Sequence, residues 1–198
     1  TGLTSGTQMK LKAEWANQAA TTYGSQAQVA QGTGTAIGDM TQNGGLSAAF
    51  DGTTSQAATS VASLSVPQGQ VSWIGKDWGN GVTKTITGFK HYASSDDGTS
   101  SNGANSSNCT ITLYGSNTNN TATATSLGGL TGLGDFRTNS ATHTKLSGLT
   151  ETTAYRYHWL KFTTPSNGQI FAAEVEFYES PIDVTGKETR LHGWAVNY

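Results

Sequence analysis

The chain is 198 residues long, carries 12% charged residues and has a formal net charge of −2, so it fits one domain with extensions and offers no basic field for a phosphate backbone. Its single cysteine, Cys109, excludes an intrachain disulfide framework and a cysteine-built zinc cluster. No apolar run reaches the ~18 residues of a membrane-spanning helix, and no basic-then-apolar leader opens these residues, so neither a nucleic-acid partner nor membrane insertion is expected; a chain that leaves the cell would have been trimmed, use another route or travel in an assembled particle.

Residues 1–44 form the first region. Met9 to Tyr23 places Leu11, Trp15 and Ala19 at i, i+4 and i+8, which fits a short amphipathic helix, though one too short to be stable alone in water. The flanking Gln31-Gly32-Thr33-Gly34-Thr35 has no period. This region reads as an N-terminal arm that orders against neighbouring chains.

From Leu46 the period becomes two. Val71–Gly75 reads as a strand, followed by a turn through Lys76–Gly81. Thr83–Tyr92 is a β-branched and aromatic strand in which Gly88 marks a bulge. Ser94–Ser107 is a polar loop. Cys109–Gly115 alternates cleanly, turning Cys109, Ile111 and Leu113 inward. Asn117–Thr125 and Leu127–Gly134 read as Gly/Thr-rich loops around a weak strand. Tyr155–Phe162 and Phe171–Tyr178 are the last two strong strands. In the latter, Ala173, Val175 and Phe177 face one way, and Glu174, Glu176 and Tyr178 face the other, towards solvent. Ser180-Pro181 ends the pattern. The tail Glu188–Tyr198 alternates again and places Trp194, Val196 and Tyr198 on one face, to dock on this domain or on a partner subunit.

Short strands without intervening helices predict an all-β fold, an antiparallel jelly-roll sandwich over residues 45–179 between arms at 1–44 and 180–198. Catalysis is not expected. Ser, His and Asp occur without a Gly-x-Ser-x-Gly elbow. Glu174 and Glu176 lie two apart on one strand face and mimic a glycosidase pair, but nothing in the sequence supplies them with a cleft. His91 and His158 fall inside strands and read as core or sheet-surface histidines.

Several segments carry a resemblance. Ala49-Phe50-Asp51-Gly52, Trp73-Ile74-Gly75-Lys76-Asp77-Trp78-Gly79, Ile86-Thr87-Gly88-Phe89, Thr110–Asn117, Tyr155-Arg156-Tyr157 and Ala172-Ala173-Glu174-Val175-Glu176 resemble, in order, the opening turn and core strands of the discoidin family. That family includes coagulation-factor C-type domains and family-32 carbohydrate-binding modules, within the galactose-binding-like fold. Trp78 stands where the family has Leu, and the run after Asp51-Gly52 departs from the family's Asn- and Thr-rich pattern. The arms and the Thr/Ser/Gly/Asn bias also resemble bacteriophage virion proteins.

The resemblance implies a non-enzymatic virion surface protein, a capsid fibre, decoration or tail appendage that binds host-surface carbohydrate. The partners it implies are other virion subunits, gripped through residues 1–44 and 181–198 in a homo-oligomer. The alternatives are a purely structural decoration protein and a secreted bacterial carbohydrate-binding module. It also implies a structural calcium ion (Ca2+) at Asp51 and Glu174, with backbone oxygens of Phe50 and Ala173. Ligand contacts are implied on loops: Trp78, then Asp96, Asp97, Asn102 and Asn105, then Phe136, Arg137 and His143; the alternatives are core packing for Trp78, a solvated linker for the Ser94–Ser107 loop and ordinary surface for Arg137 and His143.

Overall fold

A computed structural model describes residues 26–57, 59–66, 69–94, 108–133, 142–149, 153–165 and 168–179. The strands follow the alternation of the sequence: β1 (Ala27–Gln28), β2 (Thr35–Gly38), β3 (Gln42–Asn43), β4 (Ala62–Val66), β5 (Val71–Asp77) and β6 (Ile86–Tyr92). After them come β7 (Cys109–Ser116), β8 (Thr125–Leu133), β9 (Thr142–Lys145), β10 (Tyr157–Thr163), β11 (Gly168–Ala172) and β12 (Glu174–Glu179). They form three antiparallel sheets in the orders β1-β12-β6-β9, β2-β5-β10-β7-β8 and β11-β4-β3. This is the predicted all-β sandwich.

Strand β10 sits at the middle of the five-stranded sheet, and its parity defines the two faces. Leu160 pairs with Ile74 on β5 and with Leu113 on β7, and all three are fully buried in the main core cluster. Cys109, Ile111 and Phe162 join them, so the inward reading of Cys109, Ile111 and Leu113 holds. The alternate residues, Trp73, Gly75, Tyr114, Tyr157, Trp159 and Lys161, stand on the face away from that cluster. Close approach between β5 and β10 requires glycine at position 75, because a Cβ there would lie 1.9 Å from the His158 carbonyl oxygen. The bulge expected at Gly88 is present: Tyr178 pairs with Gly88 and Glu179 with Ile86, leaving Thr87 extra.

Three expectations change. Residues 27–43, assigned to the N-terminal arm, belong to the sandwich. There β1 pairs with β12, β2 with β5 and β3 with β4, and Val29 and Met40 enter the core. The arm boundary at residue 44 therefore falls inside the folded unit. These strands are two to four residues long, too short for a periodic signal, and their partners define them. Secondly, Leu127–Gly134, read as loop, is largely the long edge strand β8, paired with β7 through two register shifts. Thirdly, Glu174, Glu176 and Tyr178 do not face solvent: they are 0%, 8% and 8% exposed. Glu176 accepts hydrogen bonds from the Tyr178 and Tyr92 hydroxyls and pairs with Lys90 at 3.7 Å, so that carboxylate is partnered within its own sheet. The helix expected at 9–23 and the tail at 180–198 lie outside the described residues.

Candidate functional site

The opening turn is built on a 3₁₀ segment, Leu46–Phe50, that buries Ala48, Ala49 and Phe50. It leads into Asp51-Gly52, where Gly52 adopts φ +85°, a left-handed conformation that glycine reaches without strain. Asp51 Oδ1 accepts from the Thr53 N–H at 2.8 Å, and both its oxygens accept from the Gln56 amide, at 3.0 and 2.9 Å. The Gly52 N–H donates to Glu174 Oε2 at 2.9 Å, which ties the turn to the start of β12.

Glu174 is fully buried, and its other oxygen, Oε1, has no hydrogen-bond partner. Burial pushes its carboxyl up to about 7; the Gly52 N–H opposes this, and the charge of Asp51 adds to it. Beside it, Lys76 is 4% exposed. Its ammonium donates to the Gln31 carbonyl at 2.8 Å and lies 4.3 Å from the centre of the Phe50 ring. Burial lowers the Lys76 pKa, while the charge of Glu174 raises it. Among the described residues no group of three or more His, Cys, Asp or Glu side chains is placed to hold a metal. A cation at this turn would therefore draw most of its oxygens from the backbone, and the orphaned Glu174 Oε1 is the donor that fits it.

Trp78 is not on a loop surface. Its indole is 5% exposed and meets Phe177 edge-on at 5.7 Å, and its Nε1–H donates to His158 Nδ1 at 2.8 Å. The backbone on both sides is pinned: the Trp78 N–H donates to the Arg156 carbonyl, and Asp77 takes a two-pronged bond from the Arg156 guanidinium at 2.8 and 2.9 Å. The expected ligand contact is instead a core residue that finds a buried acceptor for its N–H. The same bond assigns the His158 proton to Nε2, and burial, then Lys84, holds the His158 pKa down to about 3.

His143 stands on β9, paired across the sheet with His91. The rings stack at 5.3 Å, and the two Nδ1 atoms are 3.0 Å apart. His91 Nε2 lies 2.8 Å from the Phe171 carbonyl, which only accepts. His91 therefore carries its proton on Nε2 and receives the Nδ1–H of His143. Burial, then His143, lowers the fully buried His91 to about 3, and burial lowers His143. Asp96, Asp97, Asn102, Asn105, Phe136 and Arg137 lie outside the described residues.

Sequence reasoning passes over the outward face of the five-stranded sheet. There Trp73 meets Tyr114 edge-on at 5.1 Å, and Tyr157 stacks on Trp159 at 5.5 Å. A cleft of about 540 Å³ opens beside them, between β2 and the β7–β8 connection. The signal was available in strand parity: Trp73 and Trp159 alternate with core residues and so must lie on the opposite face. Neither Glu174 nor Glu176 lines this cleft.

No family model matches the sequence, and no curated protein matches it. Among solved structures the chain is similar to the CBM62 module of Clostridium thermocellum Xyl5A, at 23% identity over 75% of this chain and 96% of that one, with a TM-score of 0.50. It is similar to CpGH89CBM32-5 from Clostridium perfringens, solved in complex with GalNAc-β-1,3-galactose, at 15% identity over 77% and 99%, with a TM-score of 0.53. It is also similar to a Streptococcus pneumoniae fucose binding module, at 17% identity over 77% and 96%, with a TM-score of 0.51. At such identities the likeness establishes architecture: the chain has the galactose-binding-like β-sandwich fold of carbohydrate-binding modules.

Proposed function

We propose that this chain is a non-enzymatic carbohydrate-binding module that recognises host-surface glycan from the surface of a virion, as part of a capsid fibre, decoration or tail appendage. The observation that carries the binding reading is the fold, shared with modules whose structures hold GalNAc-β-1,3-galactose or are described as fucose-binding. The chemistry agrees. The surface is rich in neutral hydrogen-bonding groups, and the two glutamates that mimic a glycosidase pair are engaged by the Gly52 N–H and by tyrosine hydroxyls. The virion setting rests on the Thr/Ser/Gly/Asn composition and on the terminal regions, residues 1–25 and 181–198, through which neighbouring subunits of a homo-oligomer would be gripped. Weak individual sites would then act through avidity.

A calcium ion is part of this reading. Asp51 and Glu174 would hold it with the carbonyls of Phe50 and Ala173, and it would supply the positive charge that Glu174 Oε1 lacks. Bound calcium stabilises the folded state by mass action, about 2.7 kcal/mol at a hundred times its Kd. The melting temperature is expected to rise by several degrees in millimolar calcium and to fall back with chelator. A melt indifferent to both removes the ion.

The binding reading is tested with the purified protein presented multivalently on a broad glycan array and on candidate bacterial cells, with and without calcium. Retention on one sugar class is the expected result. Silence on both surfaces overturns it in favour of a purely structural decoration role.

A further inference from the structure

We propose that the cleft on the outward face of the five-stranded sheet is a binding site for a neutral saccharide, separate from the loop positions at which the sequence places ligand contacts. The inference rests on the carbohydrate-binding reading above and names a place and a ligand chemistry for it. Strand register builds the cleft. Gly75, Trp159 and Tyr114 are cross-strand neighbours in one row, and Trp73, Lys161 and Thr112 in the next. Edge strand β2 supplies one wall through Ile37 and Asp39, and the β7–β8 connection supplies the other through Asn119 and Asn120. Its volume of about 540 Å³ falls within the ~300–1,000 Å³ of small-ligand sites.

The lining has two characters, and a pyranose ring has the same two. Trp73 and Ile37 offer apolar surface to the C–H face of a sugar, with Trp159 (1% exposed) buried beneath the lining, while Asp39, Asn119 and Asn120 offer acceptors and amide donors to its hydroxyl rim. Trp73 is held in place before any ligand arrives. Tyr114 meets its ring edge-on, the Trp73 backbone N–H donates to Asp39 Oδ1 at 2.8 Å, and the Lys161 ammonium lies 5.4 Å from the Trp73 ring centre. A preformed aromatic wall spares the ligand the entropy of ordering it.

Charge narrows the ligand class. Among the described residues that line the cleft, Asp39 is the sole charged one, and its carboxylate repels sialylated, uronate and sulfated sugars. A cationic ligand is opposed by Lys161, which already places a positive charge over the Trp73 ring. What remains is a neutral, hydroxyl-rich ligand.

The experiment compares the wild-type protein, Trp73→Ala and Asn119→Ala on the same multivalent array, with a thermal melt of each. The expected result is wild-type retention on neutral glycans, a loss of at least tenfold for Trp73→Ala and a few-fold loss for Asn119→Ala. Asn119 is exposed in the β7–β8 connection, so its variant keeps the test alive if Trp73→Ala fails to fold. Full wild-type binding by both variants overturns the cleft while leaving the carbohydrate-binding reading standing. Retention confined to acidic glycans overturns the neutral class. Silence of the wild type overturns the carbohydrate-binding reading itself, and the cleft with it.

Discussion

Replacing Trp78 with alanine is expected to lower folding stability by about 3–5 kcal/mol, the usual cost of truncating a buried large aromatic. The change also leaves His158 Nδ1 without its donor in the interior, a further ~1–3 kcal/mol. Domains of this kind have only ~5–15 kcal/mol in total, so the variant is expected to melt far below the wild type or not to fold at 37 °C. Trp78→Phe keeps an aromatic ring against Phe177 but removes the indole N–H together with part of the bicyclic ring, so it should lose about 1–3 kcal/mol for the orphaned acceptor plus a packing loss smaller than that of alanine. Chemical denaturation of both variants measures this, and near-wild-type stability for Trp78→Ala would return Trp78 to the list of surface ligand contacts.

Lowering the pH from 6.5 to 4 is expected to destabilise the protein progressively. His91 and His158 are each held near 3 in the folded state, against an ordinary value of 6.5. Between those values the unfolded chain binds a proton at each position that the folded chain refuses. Stability therefore falls as pH drops through 6.5, by about 1.4 kcal/mol per pH unit for each histidine, and His143, also lowered, acts in the same sense. Glu174 works against them. Its carboxyl sits near 7 when folded against an ordinary 4.5, so over that interval the folded state holds the extra proton and is favoured by acid.

The net slope expected between pH 6.5 and 4.5 is thus at least about one proton, or ~1.4 kcal/mol per pH unit, with His143 adding to it, and it steepens below 4.5 where the Glu174 offset ends. Calcium should remove the offset, because an ion on Glu174 keeps it ionised, and the slope should then approach two protons in the same interval. Denaturant melts at half-unit pH steps, with and without calcium, read this directly. A profile flat from pH 7 to 5 would show that the buried histidines do not control stability.

Much of the interior was legible without coordinates, and the reason is local. Strand parity needs no partner to be read: Cys109, Ile111 and Leu113 alternate in sequence and are fully buried. Gly88 interrupts a β-branched run, and the ladder shifts register beside it. Asp51-Gly52 forms the turn its residue types imply, and Gly52 reaches Glu174 across 122 positions. The candidate loop contacts fared differently. Trp78 looks like an exposed turn aromatic because nothing near it in sequence is its partner; His158 is 80 positions away.

By itself, then, the sequence determined the all-β class, the inward face of its strong strands and the chemistry of the opening turn, because alternation and turn propensity act within a few residues. The tertiary structure decided what covers the opposite faces. It drew residues 27–43 into the sandwich as edge strands, since pairing supplies the hydrogen bonds that so short a segment cannot provide for itself. It enclosed Glu174 and Glu176, whose burial is tolerated through bonds from the opening turn and from tyrosine hydroxyls. It also set Trp73 and Trp159 beside Asp39 and Asn119 around one cleft. That grouping depends on which strand lies next to which, a property of the assembled sheet that no single segment carries.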